Sequence, residues 1–138
     1  MSGARQPFSL ALRVYYEDTD AAGVVYYANY LKFMERARTE WLSALGMEVA
    51  ALAQEHHAAF VVHRLAIDYM RPARLGDRLD VGVALAEVGR SRLIVGQDVT
   101  HRGAVVTRAT VTLACLDPHA WRPTRIPAAL LDRLTRPS

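Results

Sequence analysis

The residues best suited to chemistry in this 138-residue chain are concentrated in one loop, residues 17–23, which reads EDTDAAG. Asp20 lies in this loop, which has apolar flanks and precedes a predicted helix, and we expect its carboxylate to be partly buried. Such a carboxylate can attack an activated carbonyl or take a proton from water, and backbone N–H groups can stabilise the developing oxyanion. The pattern makes Asp20 a candidate for acyl transfer, although a turn or capping role is the more common one for an aspartate in such a loop.

The other polar groups near this loop and along the chain are weaker candidates. Glu17 and Asp18 are typical of solvated turn residues. The loop also lacks the central glycine and final Glu of a calcium-binding loop, so we expect no bound metal. His56 and His57 fall in a polar connection and are expected to be exposed.

Nucleophilic hydrolase chemistry is not favoured by the remaining candidates. His63 falls on the apolar phase of a predicted strand, which predicts a histidine in the core or at a pocket edge. Cys115 lies in an apolar alternation and is expected to be a buried, unactivated thiol. Ser43 and Ser91 lack both a local base and the glycines of a nucleophile elbow.

Composition is typical of a single-domain globular protein, since hydrophobic residues make up 51% and charged residues 22% of the chain. The 17 basic and 14 acidic residues give a net charge of +3, and no basic stripe is present, so nucleic acid is not an expected partner. One cysteine cannot form an internal disulfide. Without a signal-peptide pattern or an apolar run long enough to cross a membrane, we expect a cytoplasmic protein with no membrane insertion.

The elements that must position Asp20 follow from hydrophobic periodicity. Alternation predicts a first strand over residues 9–17, immediately before the loop. Apolar residues at three- and four-residue steps then predict a helix from Asn29, as its N-cap, to about Leu45. Gly46 is expected to end that helix, because glycine adopts the left-handed conformation readily.

The second half of the chain is predicted to be mostly strands. From Phe60 the period changes to two, with Val61 and His63 on the same face as Leu65, until Pro72 ends the pattern. The other predicted elements are a short helix over 49–55, strands over 79–88, 92–101 and 105–116, and a helical turn over 128–134.

This inventory indicates an α+β fold in one domain, residues 1–138, with a core over about 9–117 and a tail over 118–138. A single long amphipathic helix must bury its apolar stripe, and a curved five-stranded antiparallel sheet wrapped around it is the simplest solution. Because one helix covers one face, the other face or the sheet edges are expected to meet a partner subunit.

Three segments together resemble a known family. Residues 13–30 read RVYYEDTDAAGVVYYANY, residues 33–40 read FMERARTE and residues 68–77 read DYMRPARLGD. They resemble the hotdog-fold acyl-CoA thioesterases, and most of all the Tol-Pal-associated, YbgC-type branch, which is similar to 4-hydroxybenzoyl-CoA thioesterase. The resemblance covers about residues 10–116.

The resemblance implies the hotdog fold, assembled as a dimer or a dimer of dimers (a homotetramer), with active sites at the dimer interface. It implies that Asp20 is the catalytic carboxylate, acting as nucleophile or as general base on water, without a cofactor. A backbone N–H near residues 58–60 would polarise the thioester carbonyl. The sequence departs from the branch at Tyr27, where histidine is typical, and tyrosine does not titrate near neutral pH.

The expected activity is hydrolysis of an acyl-CoA thioester to a carboxylic acid and coenzyme A. Gly23 would allow the tight loop, and Tyr27 and Tyr30 would shape the acyl end of the site. Arg90 and Arg92 would contact the phosphates of coenzyme A, because guanidinium groups match phosphate geometry.

Three alternatives remain open at the level of the sequence. The same pocket could belong to a non-catalytic module that binds acyl-CoA or acyl carrier protein, although the presence of Asp20 argues against it. A hotdog dehydratase would need an active-site His and a helical Glu that are not evident. A small oligomeric structural protein would bind no thioester.

Overall fold

The computed structural model describes residues 7–136. The strands are β1 (Phe8–Arg13), β2 (Ala59–Tyr69), β3 (Arg78–Val88), β4 (Arg92–His101), β5 (Ala104–Asp117) and β6 (Arg122–Pro123). The helices are α1 (Asn29–Ala44), α2 (Val49–His56) and α3 (Ala128–Thr135), and a 3₁₀ turn spans Tyr16–Asp18. The predicted α+β class is therefore confirmed, and the two-residue strand β6 was not predicted.

All five long strands belong to one antiparallel sheet in the order β1-β3-β4-β5-β2, and β6 pairs with β5. This order places β2 at the end of the path, with β5 as its partner along one side. Within the described chain, the other side of β2 is therefore an open edge. An open edge of 11 residues presents unpaired backbone N–H and C=O groups to a further strand.

The long helix α1 packs its apolar stripe against the sheet, as the periodicity predicts. Gln97 on β4 fixes this contact from within the core, where it is fully buried. Its Nε2 donates to the carbonyl oxygens of Met34 (3.0 Å) and Gly82 (3.3 Å), which links α1 to β3. The buried residues of α1 are Tyr30, Phe33, Met34, Ala37, Trp41 and Leu42.

The start of α1 corrects one prediction, because Asn29 is not its N-cap. Ala28 occupies that position without a side-chain cap. The side-chain amide of Asn29 instead donates to the carbonyl oxygen of Asp18 at 2.9 Å. Asn29 thus ties the preceding loop to the helix.

The end of α1 follows the prediction. Gly46 has a φ of +80° and its N–H donates to the carbonyl oxygen of Ser43 at 2.8 Å. Arg133 of α3 donates from Nη1 to the carbonyl oxygens of Leu45 (3.0 Å) and Gly46 (2.9 Å). Ile126, Leu130 and Leu134 also join the core, so the C-terminal segment packs on the domain.

Strand β2 corrects the predicted facing of His63. The register shifts between Val62 and Arg64, so His63 is an extra residue that forms a bulge. Because a bulge reverses the alternation, the core-facing residues are Phe60 before it and Leu65 and Ile67 after it. His63 is exposed, which excludes the core position but not the pocket-edge position that its phase predicts.

The first strand is shorter than predicted, since β1 ends at Arg13 instead of residue 17. The carboxylate of Asp18 accepts the backbone N–H of Tyr15 at 2.8 Å, and this local bond favours the 3₁₀ turn over a continued strand. No helix in the described residues 7–136 is long and apolar enough to span a membrane.

Candidate active site

Asp20 begins a tight turn that its backbone and its side chain both stabilise. Its N–H donates to the carbonyl oxygen of Val24 (2.9 Å), and its carbonyl oxygen accepts the N–H of Gly23 (3.0 Å). The carboxylate Oδ1 accepts the N–H of Ala22 at 2.9 Å. Gly23 has a φ of +80°, which explains the need for glycine in this turn.

The carboxylate of Asp20 is exposed in the single chain, which corrects the expectation of partial burial. Its Oδ2 has no hydrogen-bond partner in residues 7–136. The group is thus oriented by one backbone hydrogen bond and still has an oxygen available to a ligand. A second chain or a substrate would have to supply any further burial.

The turn is attached to the connection between β2 and β3. Val24 forms a bridge with Arg74, and the N–H of Val25 donates to the carbonyl oxygen of Ala73 at 2.9 Å. The hydroxyl of Tyr30 accepts the N–H of Ala73 at 3.1 Å. These contacts fix Asp20 at the end of the sheet where β2 stops and β3 begins.

An aromatic cluster lies beside the turn. Tyr69, the last residue of β2, donates its hydroxyl to the carbonyl oxygen of Tyr27 at 3.2 Å. The rings of Tyr27 and Tyr69 meet edge to face, with centroids 6.1 Å apart. Tyr27 is 61% exposed, so it can contact a ligand, and Tyr69 is a site candidate that sequence reasoning placed only on the strand.

Tyr30 is deeper than its expected place in the site. It is 3% exposed, and its ring packs against Tyr69 (5.8 Å) and Phe33 (6.0 Å). Burial raises the pKa of Tyr30, although the hydrogen bond from Ala73 opposes the shift. Tyr30 therefore supports the ring of Tyr69 and does not line an open surface.

The other expected site residues lie at the opposite end of the same sheet. Arg90 and Arg92 are exposed beside the β3–β4 turn. Strand β3 runs from the Asp20 end to that turn, and its 11 residues are separated by ten rises of about 3.3 Å, or about 33 Å along the strand. One chain therefore does not bring Asp20 together with either arginine.

The expected oxyanion donors also lie at this far end. Ala59 pairs with Leu116, whereas Tyr69 pairs with Thr107, so the start and end of β2 are at opposite ends of the sheet. The N–H of Ala58 already donates to the carbonyl oxygen of Leu52 at 3.0 Å, so it is not available to a thioester carbonyl. Successive N–H groups of a strand point to opposite sides, so either Ala59 or Phe60 directs its N–H to the open edge.

A pocket of about 150 Å³ lies under the first residues of β2, between α1 and α2. Its walls are largely apolar, and Arg38 and Glu35 of α1 add charged groups. Arg38 is half-buried and donates from Nη1 to Oε1 of Gln97 at 2.8 Å. The apolar side chains of the walls are Trp41, Leu42, Val49, Leu52, Ala59, Phe60, Val62, Leu93 and Leu113.

The remaining candidate residues differ from Asp20 in chemistry and lie elsewhere in the structure. Cys115 is buried, and desolvation raises the pKa of its thiol to about 11, which confirms an unactivated thiol. His56 and His57 are exposed, as expected. Within residues 7–136, no three His, Cys, Asp or Glu side chains gather as metal ligands do.

Comparison with known proteins gives a consistent set of relatives. Residues 14–134 match the family model described as the thioesterase-like superfamily. The chain is 45% identical over 120 residues to the acyl-CoA thioesterase YbgC of Haemophilus influenzae, covering 87% of this chain and 88% of that protein. It is 34% identical over 119 residues to the 1,4-dihydroxy-2-naphthoyl-CoA hydrolase of Synechococcus elongatus, covering 85% and 87%.

Solved structures agree with these relatives. The crystal structure of a probable thioesterase from Bartonella henselae superimposes with a TM-score of 0.85 at 31% identity, covering 88% of this chain and 100% of that one. The fold and the family named by the resemblance are therefore confirmed. By sequence and by structure, this chain belongs to the thioesterase-like superfamily and has the hotdog fold.

Proposed function

We propose that the protein hydrolyses acyl-CoA thioesters, with Asp20 as the catalytic carboxylate. In the net reaction water hydrolyses the thioester: a C–O bond forms, the C–S bond breaks, and the thiolate of coenzyme A takes up a proton. Asp20 either removes the proton from the attacking water, or attacks the carbonyl itself, which expels the thiolate and leaves a mixed anhydride that water then hydrolyses. The observation that carries the proposal is an oriented, exposed carboxylate with an available oxygen, in a chain of this superfamily.

The complete site requires a second copy of the chain. Asp20 lies at the Tyr69 end of β2, whereas the apolar pocket and the N–H groups of Ala59 and Phe60, the proposed oxyanion donors, lie at the Ala59 end. A homodimer in which two β2 edges pair antiparallel places the Ala59 end of one strand beside the Tyr69 end of the other. Each Asp20 then faces the backbone N–H of Ala59 or Phe60 from the second copy.

The same arrangement gives roles to the distant arginines. Arg90 and Arg92 lie at the Ala59 end of their own chain, so in the dimer they approach the Asp20 of the other copy. Guanidinium groups there bind the phosphates of coenzyme A, while Tyr27 lines the entrance to the reacting centre and Gly23 shapes the turn. Acyl carrier protein is a further source of thioester substrate for this site. A dimer of dimers would keep the same site between two copies of the chain.

We place this activity in the cytoplasm, where acyl-CoA is made and used, and assign it to one domain, residues 1–138. No metal or redox cofactor takes part in the proposed steps, because a carboxylate and a backbone N–H suffice for thioester hydrolysis.

The test is thiol release from a panel of short-chain, long-chain and aromatic acyl-CoAs. We expect Asp20→Asn to lower kcat/KM by about 10²- to 10⁴-fold, because the amide cannot act as base or nucleophile. Glu17→Gln is the matched control, since it removes an exposed carboxylate three residues away and should leave the rate unchanged. An active Asp20→Asn protein would refute the role of Asp20.

A second outcome separates catalysis from binding. If the wild type binds acyl-CoA or acyl carrier protein without releasing thiol, the non-catalytic binding module replaces the thioesterase. Single-turnover reaction in ¹⁸O-labelled water tests for a covalent intermediate. ¹⁸O in the Asp20 carboxylate indicates an acyl-aspartyl anhydride that water hydrolysed at the aspartyl carbon, whereas label confined to the product acid fits general-base catalysis or hydrolysis of the anhydride at its acyl carbon.

A further inference from the structure

Arg38 places a cation in the wall of the apolar pocket beneath β2. The pocket is lined mainly by hydrophobic side chains from α1, α2 and the sheet, including Trp41, Leu52 and Phe60. A cation in such a place is costly unless acceptors surround it, because burial removes its hydration. Ligand binding in this pocket therefore depends on which hydrogen-bond acceptors surround the guanidinium of Arg38.

The guanidinium of Arg38 has few acceptors within the protein. Its one hydrogen bond is to the neutral Oε1 of Gln97, at 2.8 Å. Across residues 7–136, no carboxylate lies within 4.0 Å of it. Burial lowers the pKa of Arg38, and the nearby Glu35 opposes that shift. A guanidinium has five N–H donors, so most of this group's hydrogen-bonding capacity is available to a ligand.

Glu35 does not neutralise this cation by direct contact. It is exposed on α1, one turn before Arg38, and its carboxylate accepts the hydroxyl of Thr39 at 3.3 Å. Glu35 therefore stays at the rim of the pocket, where water screens its charge. The deeper and less solvated charge in the pocket is that of Arg38.

The pocket is also small. A cavity of about 150 Å³ holds a molecule the size of benzene, or about six non-hydrogen atoms. This volume matches a three- or four-carbon acyl group. Because the pocket adjoins Phe60 and Val62 of β2, the proposed dimer brings the second copy's Asp20 to its mouth.

We propose that this pocket receives the acyl group of the substrate and that Arg38 selects short acyl chains ending in a carboxylate. The proposal rests on the thioesterase function proposed above. The acyl carbonyl lies at the mouth, near Asp20 and the β2 edge, and the terminal carboxylate reaches the guanidinium. A carboxylate matches the two parallel N–H groups of arginine and restores the hydrogen bonds that burial removes.

The test compares succinyl-CoA with butyryl-CoA, which share four acyl carbons and differ in ending in a carboxylate or a methyl group. We expect the wild type to prefer succinyl-CoA in kcat/KM. Arg38→Met should lower kcat/KM for succinyl-CoA by about 10- to 100-fold and leave butyryl-CoA within about threefold, because a charge-assisted pair is lost while the volume is kept. Arg38→Lys should retain part of the preference.

The matched control is Arg36→Met on the same helix. Arg36 is exposed and lies over the ring of Phe33, 5.9 Å from its centroid, outside the pocket lining. It should leave the preference unchanged. Equal losses for both substrates in Arg38→Met would mean that Arg38 only supports Gln97, and a wild type without preference for succinyl-CoA would also overturn the proposal.

A binding measurement separates this proposal from the thioesterase function. Calorimetry with Asp20→Asn measures the affinity for each intact thioester without turnover. If the wild type hydrolyses neither substrate, the thioesterase function fails. Tighter binding of succinyl-CoA that Arg38→Met abolishes would still support the acid-selective pocket, and equal binding of the two thioesters would overturn it.

Discussion

At the scale of single residues, the contrast between Tyr27 and Tyr30 illustrates how position changes the role of one residue type. Tyr27 is exposed beside Asp20, whereas Tyr30, three residues later on the helix, is buried and bonded to the backbone of Ala73. Their sequence context makes both aromatic candidates for the site. The direction in which α1 enters the core separates them, and this direction depends on tertiary packing.

Substitution of Tyr27 tests whether its hydroxyl takes part in the reaction. The hydroxyl of Tyr27 has no hydrogen-bond partner within residues 7–136. The hydrogen bond from Tyr69 goes to the backbone carbonyl oxygen of Tyr27 and does not involve this hydroxyl. Tyr27→Phe should therefore change kcat/KM by less than about threefold and stability by less than about 0.5 kcal/mol. A loss of 100-fold would show instead that the hydroxyl acts on the substrate.

Tyr27→His restores the group typical of the branch. An exposed imidazole titrates near pH 6.5, so it would add a group that changes charge in the pH range of the assay. We expect a new inflection in the pH dependence of kcat/KM between about pH 6 and 7 if this position assists proton transfer. An unchanged profile would indicate that the position only shapes the entrance.

Cys115 gives a prediction that follows from its pKa. Desolvation raises the pKa of the Cys115 thiol from its ordinary value of 9.0 to about 11. At pH 8 the thiolate fraction therefore falls from about one tenth to about one thousandth. Alkylation by iodoacetamide should thus be at least about 100-fold slower in the native protein than in guanidinium chloride. Native and unfolded rates within tenfold of each other would contradict the burial of this thiol.

At the scale of elements, the termini of α1 show which local signals are reliable. Gly46 was predicted as the end of α1 because a left-handed terminus strongly favours glycine, and its φ of +80° confirms this. The Asn29 cap was wrong because an asparagine side chain can satisfy several local partners, and the carbonyl oxygen of Asp18 was available. A positive φ at Gly46 strongly favours one residue type, glycine, whereas the side chain of Asn29 can form its hydrogen bond with any of several nearby groups.

Gly46→Ala should destabilise the protein by about 1–2 kcal/mol. Part of this cost is the left-handed conformation. The added Cβ would also lie 2.8 Å from Nη1 of Arg133, so the flexible side chain must move and weaken its hydrogen bonds to the carbonyl oxygens of Leu45 and Gly46. Gly103→Ala is the matched control, because Gly103 has a φ of +82° with open space around it. Urea unfolding of both variants should show the larger loss for Gly46→Ala, and equal losses would mean that the Arg133 contact contributes nothing.

The bulge in β2 is an element-scale feature that periodicity alone misses. Alternation along residues 60–69 predicts one continuous apolar face, but the extra residue at His63 reverses the faces halfway along the strand. Short apolar runs on both faces conceal this reversal, because Val61 and Val62 are equally hydrophobic. Pairing with β5 determines the register.

At the scale of the whole molecule, the open edge of β2 predicts how two copies pair. Arg64 and Asp68 are exposed and share the face of β2 opposite the core-facing Leu65 and Ile67. An antiparallel pairing centred on Ala66 sets Arg64 of one copy opposite Asp68 of the other, which joins opposite charges. A pairing centred on Arg64 would instead set two arginines opposite each other.

Arg64→Glu should therefore weaken the dimer by about tenfold or more, because two attractive pairs become repulsive. The double variant Arg64→Glu, Asp68→Arg should recover wild-type affinity. Analytical ultracentrifugation across a concentration series measures both. A dimer unaffected by the single variant, or a double variant that fails to recover, would contradict pairing centred on Ala66.

The sequence alone determined the fold class, the order of the long elements and the family, and it singled out Asp20 as a candidate, because periodicity, glycine positions and the TDxxGVV pattern are local properties of the chain. The tertiary structure decided where these residues meet. It placed Asp20 at one end of the sheet and Arg90, Arg92 and the N–H groups of Ala59 and Phe60 at the other, one strand length apart. It also placed Arg38 in a pocket, since burial depends on how helices and strands from distant parts of the chain pack together.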